Sequence, residues 1–354
     1  MPRQEYDITY ASSVIAEINY TLIENRFVEN AEFGSIVLYD HSLYANSDMQ
    51  QVTVQSMSGF VLSNAIGANY PSNTNLFHWN IHHCTLEGNK NGGIDLKLPY
   101  TWLYNENFTH TVVVEDSNFL KNQNFEFVIG GHYAKVNITR NKFLDNQCKI
   151  GLVSILGMEK LTRIVQNEMN DNYVQRYVVE MNMESHADKF GTVTAMINRN
   201  KIRNNRFLGS SIQFTNVEEM SNAYTPETYA IAIRGLQQVN VTRNILTNRN
   251  LQFELLAGVK AGSIHNELNA RENFWGVGFD SQTIRERIFD FDDWNSFSTT
   301  IFSPWLADDH NDAMLIHDQS SIDTLSHSSS FIPQILGGRL NRSLVLHARD
   351  RPYI

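Results

Sequence analysis

The sequence predicts an all-β chain wound as a right-handed parallel β-helix, closed by a C-terminal cap and followed by a linker. Three observations predict it. Asparagine is in excess, a hexad of the form N-x-Φ-x-x-N (Φ a large apolar residue) recurs along the chain, and short β-rich runs flank each copy. Asparagine supplies 39 of 354 residues, while charged residues make up only 19%, below the roughly 25% of ordinary soluble domains. The asparagine side chain tolerates left-handed backbone and both donates and accepts hydrogen bonds. Its excess therefore points to many similar tight turns, one set per repeat.

The clearest copies of the hexad are Asn25–Asn30, Asn141–Asn146, Asn167–Asn172 and Asn200–Asn205. Looser ones are Ser117–Asn122, His83–Gly88 and Asn244–Asn248. Their first positions fall mostly about 22 to 45 residues apart, the length of one coil with loops of variable size. Short runs precede the copies (Val112–Val114, Lys135–Ile138, Arg163–Val165, Ala195–Ile197, Val239–Val241) and others follow them (Ser35–Leu38, Phe125–Val128, Gly151–Ile155, Tyr177–Val179, Ser211–Phe214). Runs of three to five β-rich residues, roughly alternating, favour strands. Stacked coils would align Phe27, Phe119, Phe143, Met169, Ile202 and Leu246 as an inner apolar column about 4.8 Å per step. Asn25, Asn30, Asn122, Asn141, Asn146, Asn167, Asn172, Asn200, Asn205 and Asn244 would stack at the turns as an amide ladder.

A stack of coils needs a closed end, because its last coil otherwise exposes core and an unpaired edge. The β-helix with its cap is read as residues 1–306, the cap as about 271–306. Asn273, Trp275, Gly276, Trp294, Pro304 and Trp305 carry that closure: the tryptophans bring apolar area where the stack stops, and Pro304 ends a strand. The one plausible helical piece lies near 281–287. Residues 307–336 are polar and serine-rich and read as a linker. Residues 337–354 are apolar again and read as the truncated start of a following β-helix domain.

The net charge is −10 with no basic stripe, which argues against nucleic acid as a partner. No apolar run approaches the ~18–20 residues of a membrane span, and the first residues lack the apolar segment of a secretion signal. Cys84 and Cys148 form no metal-type cluster and read as buried thiols. Five N-x-[ST] sequons, at Asn19, Asn107, Asn137, Asn240 and Asn341, are glycosylation candidates and favour the secretory route.

The asparagine-punctuated coils, together with Glu272–Gly276, Arg287–Asp290, Asp292–Trp294 and Pro304–Leu306, resemble the end of a pectin-lyase-like β-helix region in bark beetle (Anakonda-type) proteins. Those are large extracellular, single-pass membrane proteins. The tail Gly337–Leu340 to Pro352–Ile354 resembles the opening of their next β-helix unit. The resemblance covers essentially the whole chain and implies a role in organising tricellular and septate-type epithelial junctions. It implies location at the extracellular face of the plasma membrane and protein partners at cell–cell contacts, with homophilic pairing left open. It implies no cofactor.

The rival reading is a polysaccharide lyase or glycoside hydrolase, since a fold does not fix a function. Two-carboxylate hydrolysis needs acids about 5–9.5 Å apart flanking the glycosidic bond. Asp95, Asp116, Asp145 and Asp171 are scattered relative to the repeat, Asp145 and Asp171 falling at the turn position of Lys121 and Asn204. Asp292–Asp293 falls in the cap and reads as capping carboxylates. His82–His83 is a weak zinc signal, since neighbours on a strand face opposite ways. Asp308, Asp309, Asn311 and Asp312 could hold calcium but read as hydrated linker. Tyr100, Trp102, Tyr104 and Phe108 offer a third reading, an aromatic surface for a glycan. The expectation is a chain with no catalytic residues and no metal site, serving as a junction scaffold.

Overall fold

The computed structural model describes residues 76–90, 92–97, 110–130, 134–156, 162–183, 193–209, 228–235, 238–259, 267–293, 297–310 and 313–318. In the N-terminal part it describes the backbone of six further strands, Ile18–Ile23, Arg26–Val28, Gly34–Asp40, Tyr44–Gln50, Thr53–Gln55 and Phe60–Ile66. One compact unit spans Met1–Ile316 and a second spans His317–Ile354. The first is a parallel β-helix.

Each coil contributes one strand to each of three parallel sheets. In one coil, Ala134–Thr139 joins the first sheet, Lys142–Leu144 the second and Gln147–Leu156 the third, before Thr162–Val165 re-enters the first. Among the described residues the sheets hold ten, eight and eleven strands. Only two residues separate the first sheet from the second, and two the second from the third, so the corners are tight and repeat in register.

The apolar column is formed by the short second sheet. Phe119 pairs with Phe143, Phe143 with Met169, Met169 with Ile202, and Ile202 with Leu246. All five are fully buried. The rings of Phe119 and Phe143 stack with centroids 4.7 Å apart and planes 9° apart, the spacing that adjacent strands impose. The backbone register continues from Leu86 through Val54 to Phe27. A degenerate coil, Thr53–Gln55, thus stands where no asparagine marks the repeat. The copy read as His83–Gly88 is one residue out of phase, for Leu86 takes the inner position and Cys84 and Asn89 take the corners.

Two amide ladders run along the two corners. In the first, Ser117, Asn141, Asn167, Asn200, Asn244 and Asn273 succeed one another. The backbone N–H of each donates to the side-chain oxygen of the next at 2.8–3.0 Å. In the second, Asn89, Asn122, Asn146, Asn172, Asn205 and Asn248 do the same at 3.0–3.1 Å. Each internal asparagine also donates one Nδ2 hydrogen to the next Oδ1 and the other to a strand carbonyl of the preceding coil. For Asn172 these acceptors are Asn205 Oδ1 at 3.0 Å and Phe143 O at 2.9 Å. Every donor and acceptor of the amide is used, which lets a fully buried polar group sit beside an apolar core. Asn25 and Asn30 lie outside the described residues.

The asparagines are not the left-handed residues of these turns. That conformation belongs to the residue before every described corner residue except Asn248: His83, Asp116, Arg140, Gln166, Arg199, Arg243 and Glu272 at the first corner, with φ of 51–58°, and Gly88, Lys121, Asp145, Asp171 and Asn204 at the second, with φ of 53–66°. Placing the strained residue outside the ladder lets its side chain reach water while the asparagine turns inward to its neighbours.

At the C-terminal end Trp275, Ile284, Ile288, Phe302 and Trp305 join the core. A short helix, Ser281–Arg285, buries Ile284, and the Asp280 carboxylate accepts the Thr283 N–H at 2.8 Å to cap its start. Trp305–Leu306 pairs antiparallel with Leu315–Ile316, and the Leu306 N–H donates to the carbonyl of Asn273 at 3.0 Å. This hairpin covers the end of the second sheet. Pro304 therefore leads into a strand, and the packed unit runs past position 306 because Leu315 and Ile316 reach apolar surface. Trp294 and most of 307–354 beyond the hairpin lie outside the described residues. So does Ser211–Phe214; the third-sheet strand of that coil is Tyr229–Gly235.

Candidate functional surface

Stacking dictates which charges meet on the outside. The guanidinium of Arg140 lies 2.6 Å from Asp116 and 3.0 Å from Glu115 of the preceding coil. Its hydrogen bonds hold the Asp116 carboxyl below the usual carboxylate range. Lys201 meets its register partner Glu168 at 3.2 Å, and Arg243 meets Glu272 at 2.6 Å. Each such exposed pair contributes about 0–1 kcal/mol. The arrangement matters more than the energy, because acids here face bases across coils.

His82 ends a first-sheet strand and His83 occupies the left-handed corner. That corner breaks the strand alternation, so the two rings meet edge to face at 5.6 Å with their Nδ1 atoms 3.4 Å apart. The expectation that the two histidines face opposite ways is corrected on this ground.

A second polar cluster sits on the outer side of the third sheet. Gly151, Tyr177, Tyr229 and Phe253 are register partners, and the Tyr177 and Tyr229 rings stack 6.4 Å apart. Gly151 is required there: a Cβ would fall 1.9 Å from the Tyr177 ring. Beside them Arg234 pairs with Glu180 at 2.9 Å, donates to the Tyr229 hydroxyl, and lies 5.5 Å from that ring's centre. Burial pushes the Glu180 carboxyl up against the pull of Arg234 and Arg176, and pushes both tyrosines up. Sequence reasoning missed this cluster because its members lie on different coils.

The end of the second ladder was also missed. Each ladder asparagine hands its backbone N–H and one Nδ2 hydrogen forward, and at the end of the second ladder Asn248 hands them to a carboxylate. The buried Glu254 supplies it, accepting the backbone N–H of Asn248 at 2.5 Å and its Nδ2 at 2.8 Å. Arg287 closes the pair at 3.1 Å from Glu254 and donates to the Asn248 carbonyl at 2.8 Å. The signal available was a single acid inside the apolar run Phe253–Ala257.

The remaining candidates separate. Asp292 pairs with Arg285 at 2.9 Å, and Asp293 accepts the N–H of Asp290 at 3.2 Å. Asp290 is buried, accepts the N–H groups of Asp292 and Thr300 at 3.0 and 2.8 Å, and is pushed up by burial. These carboxylates brace the cap. Asp308, Asp309 and His310 bring ligand atoms within 4.8 Å of one another on the surface, and Asp309 pairs with Arg203 at 2.8 Å. Asp145 and Asp171 stand at the second corner on successive coils, and Asp95 is half-buried on the third sheet. Cys84 and Cys148 are buried thiols. Of the sequons, Asn137 and Asn240 are described. Asn107, Asn341, the side chain of Asn19, the aromatic group at 100–108, and Asn311 and Asp312 lie outside the described residues.

Among the described residues no helix is long and apolar enough to cross a membrane. Stacked parallel coils, two amide corners and an apolar closure define the chain as a β-helix solenoid. No protein-family model and no solved structure matches it. It is 31% identical over 323 residues to Protein bark beetle of Drosophila melanogaster, a match covering 87% of this chain and 10% of that protein. The chain is thus a bark beetle-type protein, and it spans about a tenth of the length of this curated relative.

Proposed function

We propose that this chain is a non-catalytic structural segment of an extracellular junction scaffold, presenting rigid lateral surface to protein partners at epithelial cell contacts. Its likeness to Protein bark beetle supports a junction-related role. The observation that carries the non-catalytic reading is the pairing of acids with bases across coils, Asp116 with Arg140, Glu168 with Lys201, Glu180 with Arg234 and Glu254 with Arg287. Cleavage of a glycosidic bond by two carboxylates calls for acids facing each other across a substrate. In these four pairs a cation neutralises the acid, and the contacts join one coil to the next.

Two readouts test this on the purified chain. Fluorescently labelled protein added to an epithelial monolayer should concentrate at cell borders, and a uniform or absent signal would count against a junction role. Incubation with pectin- and chitin-like polymers should release no new reducing or unsaturated ends. Turnover that Glu180→Gln abolishes would move the chain into the carbohydrate-active class.

A further inference from the structure

The two described sequons occupy one file on the outer face of the first sheet. Val136 and Ile138 turn into the core, as do Val239 and Val241, so Asn137 and Asn240 turn outward, where both are partly exposed. Register links them through Arg163 and Met196, three strand steps or about 14 Å. Their amides are used differently from those of the ladders. Asn137 accepts the Thr139 hydroxyl at 2.6 Å, and Asn240 accepts Asn269 Nδ2 at 3.1 Å, both at Oδ1. Among the described residues neither Nδ2 donates a hydrogen bond. Neighbouring outward asparagines differ: Asn198 and Asn269 spend Nδ2 on Thr242 and Asn240.

We propose that the outer face of the first sheet is a glycosylated face, with N-linked carbohydrate on Asn137 and Asn240 that withholds it from protein contact. This rests on the extracellular reading above. The glycan is transferred from an oligosaccharide linked through diphosphate to a lipid. The sugar C1–Nδ2 bond forms as the C1–O bond to the diphosphate breaks, and the Nδ2 proton leaves with the released lipid diphosphate. Both hydrogen bonds at these residues use Oδ1, which the linked amide keeps, so the folded sheet accepts the modification without losing a contact. Two glycans about 14 Å apart, each a bulky hydrated chain, cover the middle of this face. A lateral protein partner then has the second-sheet or third-sheet side available.

The test uses the full chain behind a secretion signal in eukaryotic cells, with glycans removed enzymatically in heavy-oxygen water and the sites read by mass spectrometry. Labelled aspartate at both 137 and 240 is expected, in secreted and cell-retained chain alike, and Asn137→Gln/Asn240→Gln should remove two mobility steps on a gel. Folded chain carrying unmodified Asn137 and Asn240 would overturn the proposal. Directing the chain into the secretory route makes this outcome independent of the monolayer experiment. A failed junction role and an unglycosylated face therefore remain distinguishable.

Discussion

Asn172→Leu is expected to lower the melting temperature by on the order of 10 °C. The side chain of Asn172 makes four hydrogen bonds: it donates to Phe143 O and Asn205 Oδ1, and it accepts the N–H and Nδ2 of Asn146. Leucine is close in volume and fills the site, so the effect isolates the polar loss. It strands the Phe143 carbonyl and two Asn146 donors in a fully buried site. Each buried unsatisfied group costs about 1–3 kcal/mol, which sums to about 3–9 kcal/mol against a total stability of about 5–15 kcal/mol. At about 2–4 °C per kcal/mol for a domain of this size, the shift is readily measured by calorimetry. Asn80→Leu, on the exposed outer side of the first sheet, should change stability by no more than about 0.5 kcal/mol. Equal effects from the two substitutions would show that the ladder is ornamental.

Glu254→Gln should cost a comparable amount, although it is nearly isosteric. A carboxylate offers acceptors on both oxygens, and the ladder's end presents donors to both. An amide keeps one acceptor and turns a donor toward another donor, while Arg287 loses its counter-charge. Removing one partner of a buried ion pair costs about 3–5 kcal/mol. Arg287→Met is predicted to cost as much by leaving the Glu254 carboxylate uncompensated. The double variant Glu254→Leu/Arg287→Met should cost less than the sum of two single losses, because the pair is removed together. Urea unfolding of the four proteins reads this directly. Additive losses would contradict a coupled terminator.

The architecture was legible because its signals are local and repeated. Asn141, Asn167 and Asn200 sit at the same phase relative to Phe143, Met169 and Ile202, and that phase survives loops of unequal length. Legibility failed where a coil lost its markers. Thr53–Gln55 has no corner asparagine, and the Cys84–Asn89 copy was read one residue early because His83 and Gly88 imitate the corner residues. The left-handed position was misplaced for a related reason. Asparagine's tolerance of that conformation is a property of the isolated residue, whereas in the stack its side chain serves the neighbouring coil and the preceding residue takes the turn. The surface was less legible still. Glu180 meets Arg234, and Glu254 caps Asn248, only after coils of unequal length are wound into register. Proximity of this kind leaves no short motif.

In the proposed reading, the buried polar groups of this chain serve the stack and not a reaction. Hydrogen exchange of asparagine side-chain amides, followed by NMR, tests it most directly. The account predicts slow exchange for Asn141, Asn146, Asn167, Asn172, Asn200 and Asn205, and fast exchange for the outward Asn80, Asn137 and Asn240. Fast exchange throughout, at the rate of a free amide, would contradict it.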